Sequence, residues 1–176
     1  MNFNLCSQSR LNSDSLIARS LSVYKNNPEQ GYKYAKQAQQ KAQSENAEVN
    51  IARAYEMWGV SLDYLGYLDS ALLYFDKSIA ILKNHQEEFL LAKVFVSKAN
   101  SLFLLNRYKE ALAYYRDASE IFKITKKVKE EMSAMMGIAN VYSNMKSYDL
   151  SLKYYNQCLT YYEEVRDSFF LSYVLT

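Results

Sequence analysis

The stretch Ala99 to Ala118, ANSLFLLNRYKEALAYYRDA, is two short helical patterns joined by a polar turn, and it recurs along the chain. It holds small residues at Ala99, Ala111 and Ala118 and an aromatic at Tyr115. Forty residues earlier the same slots hold Gly59, Ala71, Ser78 and Phe75; forty later they hold Ala139, Ser151, Cys158 and Tyr155. A period of this length marks a supersecondary unit that buries its apolar face only by stacking on its neighbours. The chain is therefore expected to be an array of similar units.

Composition says what the units are made of. Four Gly, one Pro and abundant Leu, Ala, Lys and Glu among 176 residues suit helices with short connections. The 17 tyrosines fit amphipathic helices, burying a ring while a hydroxyl reaches water or a polar neighbour. A net charge of +2 with scattered Lys and Arg gives no nucleic-acid footprint. The densest basic run, Lys123 to Lys129, is followed at once by Glu130 and Glu131 and reads as a solvated turn. No run approaches the ~18 apolar residues of a membrane span.

Apolar spacing from Ser13 to Asn26 predicts a first helix, and Asn27-Pro28-Glu29-Gln30 starts a second that runs to about Ser44. Hairpins follow at Ala47 to Gly66 with Leu68 to Asn84, Glu87 to Leu105 with Tyr108 to Thr125, and Val128 to Met145 with Tyr148 to Val165. The resulting organisation is a leader at 1–12, expected to be disordered, and a single array at 13–176. Its repeats are 13–46, 47–86, 87–126 and 127–166, with a first helix begun at 167–176. Small residues on both helices let the backbones approach, and Phe75, Tyr115 and Tyr155 are expected to fill the space toward the next repeat.

This spacing resembles the tetratricopeptide repeat. Trp58, Gly59 and Leu62 followed by Ala71, Phe75 and Ser78 carry the pattern. So do Ala99, Leu102, Ala111, Tyr115 and Ala118, and Ile138, Ala139, Tyr142, Ser151, Tyr155 and Cys158. The resemblance implies an all-α, right-handed α-solenoid of antiparallel helical hairpins that binds proteins or peptides. The first repeat departs from it: Arg19 stands where a small residue is expected and Ala35 where the aromatic should be, as in an end cap. Lys98 departs at the position of Trp58 and Ile138, its stem packing while its ammonium snorkels. A period longer than the family's usual 34 is similar to repeats of bacterial regulators and sensor segments.

In that family the first helices line a concave groove. The resemblance puts Arg53, Met57 and Tyr64 there from repeat two, Lys93, Asn100 and Phe103 from repeat three, and Asn140 and Asn144 from repeat four. Asn100 and Asn140 hold the same slot one repeat apart. An amide there can donate to and accept from the backbone of an extended peptide, or it can bond across to the next helix. No catalytic set is present: His85 is the single histidine, with no paired ligands for a metal, and there is no phosphate loop or nucleophile elbow. No cofactor and no metal are expected.

The expected function is a peptide- or protein-binding scaffold, the N-terminal sensory or interaction segment of a larger bacterial regulatory or signalling protein. The alternative is the sensor arm of a histidine kinase, or of a DNA-binding regulator whose effector domain lies elsewhere. The apolar run Phe169 to Leu175 calls for continuation of the array or self-association through that end. Cys158 occupies a small-residue slot, and Cys6 lies in a leader that is no complete signal peptide. Location is accordingly cytoplasmic, or periplasmic if the leader is the tail of a removed signal.

Overall fold

The computed structural model describes residues 11–165, all of whose regular elements are helices. The expectations for Cys6, for the helix beginning near Asp167 and for self-association through that end lie outside the described residues. Helices α1 (Ser13–Val23), α2 (Pro28–Ser44), α3 (Glu48–Tyr64) and α4 (Leu68–Asn84) form two hairpins. Helices α5 (Glu88–Leu104), α6 (Tyr108–Ile124), α7 (Val128–Asn144) and α8 (Tyr148–Glu164) form two more. The chain divides between Glu87 and Glu88 into two compact units of two hairpins each.

A shorter beat underlies the period. From α2 onward the helices begin at Pro28, Glu48, Leu68, Glu88, Tyr108, Val128 and Tyr148, so each helix with its connection takes 20 residues. The middle residue of every connection from Asn46 on is left-handed: Asn46, Gly66, Gln86, Asn106, Lys126 and Lys146 have φ between 54° and 82°. The next amide then donates to the carbonyl five residues back, as Tyr67 does to Leu62 at 2.9 Å, Lys127 to Phe122 at 2.8 Å and Ser147 to Tyr142 at 2.9 Å. This is the Schellman closure, and its usual residue is glycine, which has no Cβ to strain. Here Gly66 alone of the six is glycine.

The first helix breaks the beat. It ends at Val23 rather than Asn26, and its four-residue connection holds no left-handed residue. The register slips by one. Ser20, not Arg19, takes the close-approach slot: it is fully buried and its Oγ donates to the Gly31 carbonyl at 2.8 Å. Arg19 is exposed and lies over the Tyr34 ring. The starts of α1 and α2 are capped by Asn12 and Asn27, whose side chains accept from the Ser15 and Gln30 amides.

Small residues set the packing. Ala35, Ala38, Ala52, Ala71, Ala99, Ala111, Ala118 and Ala139 are fully buried, as is Cys158. At one slot a side chain also ties second helix to first: Ser78 Oγ donates to the Ala52 carbonyl at 2.8 Å, and Cys158 Sγ to the Met132 carbonyl at 3.5 Å. Burial pushes the Cys158 thiol up to about 12, so it is a packed group and not a nucleophile. Within each unit successive helices pack in order, and the first helices of the two hairpins also approach, α1 beside α3 and α5 beside α7. Among the described residues the second helices do not. Each unit therefore curves with its first helices on the inner side.

Candidate functional site

The inner face of the unit formed by α5–α8 is built from two parallel stripes. On α5 the helical spacing aligns Lys93, Ser97, Asn100 and Leu104; on α7 it aligns Ser133, Gly137, Asn140 and Asn144. Lys93, Asn100 and Leu104 are exposed, as are Ser133 and Asn144, while Asn140 is half-buried. These two stripes carry no carboxylate. They offer amides, hydroxyls and one cation, with Leu104 and the half-buried Phe103 at the C-terminal end of α5. Phe103 leans on Tyr108, its ring centroid 5.8 Å away.

The two asparagines are held from behind. The Tyr115 hydroxyl donates to Asn100 Oδ1, and the Tyr155 hydroxyl donates to Asn140 Oδ1. Tyr115 starts on α6, is 3% exposed, and its ring lies on Gly137 of α7. A Cβ at Gly137 would overlap that ring, so the glycine is what lets a second-helix tyrosine reach a first-helix amide. Asn144 Nδ2 donates to the Asn140 carbonyl at 3.0 Å. Of the two readings of Asn100 and Asn140, the bond across to the next helix is thus present at both.

In the unit formed by α1–α4 the same slots are apolar. Val60 stands where the asparagines stand and Phe75 where the tyrosines stand. Phe75 packs against the first helix of its own hairpin: a Cβ at Gly59 would sit 2.6 Å from its ring. Arg53 is ion-paired with Asp14 at 2.5 Å and donates to Asn50 Oδ1 at 2.9 Å. Its hydrogen bond, with that of Asn50, holds the Asp14 carboxyl below its ordinary range. Met57, at 7% exposed, belongs to the core with Leu16, Ile17, Ala35, Ala38 and Ala54, so it packs and does not face a ligand. Tyr64 is 49% exposed and meets Tyr24 edge-on at 5.1 Å. Burial, then Tyr64 and Glu56, raise the Tyr24 phenol.

Lys98 does not snorkel. It is 8% exposed, with Nζ 2.8 Å from the Tyr114 hydroxyl and 4.4 Å from the ring centroid. Where Lys98 and Tyr114 stand, the other unit stacks Trp58 on Tyr74 at 4.4 Å, with Lys77 over Tyr74. His85 Nε2 lies 2.6 Å from Glu48 Oε2, beside an open cleft of about 550 Å³ lined by Asn46, Ala47, Val49 and Asn50. Among the described residues no group of three or more His, Cys, Asp or Glu could hold a metal, and no helix is long and apolar enough to cross a membrane.

Of the residues expected in a groove, Lys93, Asn100, Asn140, Asn144 and Phe103 come together on the inner side of one unit, and Arg53 and Tyr64 lie in the other. The structure adds the Tyr115 and Tyr155 hydroxyls and the passage at Gly137. A signal for them exists in the sequence: Val60 is paired with Phe75, but Asn100 and Asn140 are paired with Tyr115 and Tyr155, always fifteen residues apart.

Residues 92–123 and 133–164 match the tetratricopeptide repeat family model. No curated protein matches the sequence. Among solved structures, a Rap protein complexed with competence and sporulation factor is similar over 92% of this chain and 45% of its own, at 17% identity and a TM-score of 0.85. Aspartyl phosphate phosphatase F from Bacillus subtilis is similar over 92% of this chain and 43% of its own, at 16% identity and a TM-score of 0.83. A plasmid Rap conjugation gene regulator in complex with a Phr peptide is similar over 93% and 47%, at 20% identity and a TM-score of 0.75. The chain spans less than half the length of each of these structures. The likeness is one of fold: helical hairpins of the tetratricopeptide kind.

Proposed function

We propose that this chain, a scaffold that carries tetratricopeptide repeats, holds an extended peptide against the inner face of α5 and α7 and works by binding, without catalysis. The carrying observation is the repeated asparagine: Asn100 and Asn140 occupy one slot on adjacent first helices, each with its Oδ1 already engaged by a tyrosine. Amide groups at repeat spacing suit the backbone of an extended chain, whose carbonyls and amides also recur at fixed intervals. Lys93 adds a cation for a ligand carboxylate, and Phe103 with Leu104 adds apolar surface.

Two further observations support the reading. Two of the similar structures are, by their descriptions, complexes, one with competence and sporulation factor and one with a Phr peptide. Because such structures are about twice as long as this chain, we take it to be the sensory or interaction part of a larger bacterial regulatory protein. The test is selection of a displayed random heptapeptide library on the purified chain. Enrichment of peptides that the Asn100→Ala, Asn140→Ala double variant no longer captures, with its helical content intact, is the expected result. Equal capture by that variant would refute the site.

A further inference from the structure

We infer that Tyr115 is a positioning residue for ligand recognition, turning Asn100 so that it meets the ligand as a hydrogen-bond donor. The inference rests on the peptide-binding reading above and goes a step beyond it, to the polarity of the contact. A side-chain amide can offer either its oxygen or its NH2 to a partner. At Asn100 the choice is made from inside the fold: the Tyr115 hydroxyl occupies Oδ1, and the side chain is exposed on the inner face. The amide group on the ligand side is then Nδ2, and what it recognises is an acceptor, a backbone carbonyl of an extended peptide.

Three features of the chain converge on this arrangement. Tyr115 is buried from ring to hydroxyl, so its rotamer is fixed by packing. Gly137 supplies the gap through which the ring passes, and any side chain there would overlap it. Where the hydroxyl is missing, at Phe75, the amide is missing too, and Val60 replaces it. Tyr155 and Asn140 repeat the bond one repeat later. A tyrosine kept only for packing would not require an amide at its tip, and Phe75 shows that phenylalanine fills the slot.

The probe is a fluorescent heptapeptide taken from the library selection on the unaltered chain, measured by anisotropy against the whole chain and its variants. Tyr115→Phe is expected to weaken binding about tenfold, the size of one hydrogen bond's worth of orientation. Asn100→Ala should weaken it by a similar factor, and the two together by no more than either alone, because they act through one contact. Asn100→Val with Tyr115→Phe recreates the apolar pair of the other unit. It should keep the thermal midpoint of the unaltered chain yet bind as poorly as Asn100→Ala, which separates positioning from stability. Tyr115→Phe binding within twofold of the unaltered chain, or losses that multiply in the double variant, would overturn the inference while leaving the peptide site standing. Failure to select any peptide would refute the binding reading itself.

Discussion

The two units share one backbone plan and differ in what they do with the same slots. In one unit the slots hold Val60 and Phe75, the Phe75 ring lies on Gly59, and Trp58 stacks on Tyr74. At the matching slots of the other unit, Asn100 bonds Tyr115, Asn140 bonds Tyr155, and Lys98 bonds Tyr114. From α2 onward the helices, their 20-residue beat and their small-residue contacts are the same in both. The difference teaches that the fold is carried by small residues and left-handed turns, which leaves the larger side chains free to be exchanged between packing and polar roles.

The largest effect should come from removing the shared seal. Phe75→Ala leaves a ring-sized cavity and should cost ~3 to 5 kcal/mol, read by denaturant unfolding. Tyr115→Ala should cost as much, so the comparison breaks if either is tolerated. Next is the passage that only one unit needs for a tyrosine: Gly137→Ala forces the Tyr115 ring to move and should cost ~1 to 3 kcal/mol. A smaller effect separates the pairs. Phe75→Tyr alone buries a hydroxyl where Val60 stands in the asparagine slot and offers no acceptor, and should cost ~1 to 3 kcal/mol, and Val60→Asn added to it should return most of that, as a double-mutant cycle would show.

Much of this fold could be read from the residues. Ala99, Ala111, Ala118 and their equivalents announce a stacked hairpin because a close backbone approach tolerates nothing larger. The 20-residue beat was hidden because five of its six left-handed turns use Asn, Gln or Lys, which carry no unambiguous turn signal. The slip in the first repeat was hidden too, since a missing turn residue between α1 and α2 shifts every slot by one and makes Arg19 look misplaced. Of the site, the face was legible through the repeat register, but Met57 was not, because its neighbours Leu16 and Ile17 come from a helix whose register had slipped. At Tyr115 and Tyr155 the repeat pattern marks only the ring, so the hydroxyl that reaches the asparagine is not legible in it.

Smaller effects sharpen the picture further. Lys126→Gly and Lys146→Gly should each raise stability by ~0.5 to 1 kcal/mol, since both residues hold positive φ at which a Cβ is strained. Gly66→Ala should do the reverse, and thermal melts of the three variants settle the ranking. Acid should act on α1 ahead of α7. Ser13 holds the Glu45 carboxyl low, and Arg53 with Asn50 holds Asp14 low. A lowered carboxyl contributes stability above its ordinary range near ~4 and loses it as pH falls through the folded value. Glu131 has the opposite sign: its carboxyl is raised by burial, so protonation relieves it. Amide exchange followed from pH 7 to about 3 should show α1 protection lost ahead of α7.

The most direct measurement is of the asparagine side chains themselves. In a 15N-labelled chain, the Nδ2 resonances of Asn100 and Asn140, assigned with single Asn→Asp variants, are followed as the selected heptapeptide is added. Both should shift in step with occupancy. A peptide that binds while both resonances stay where they were would contradict the account.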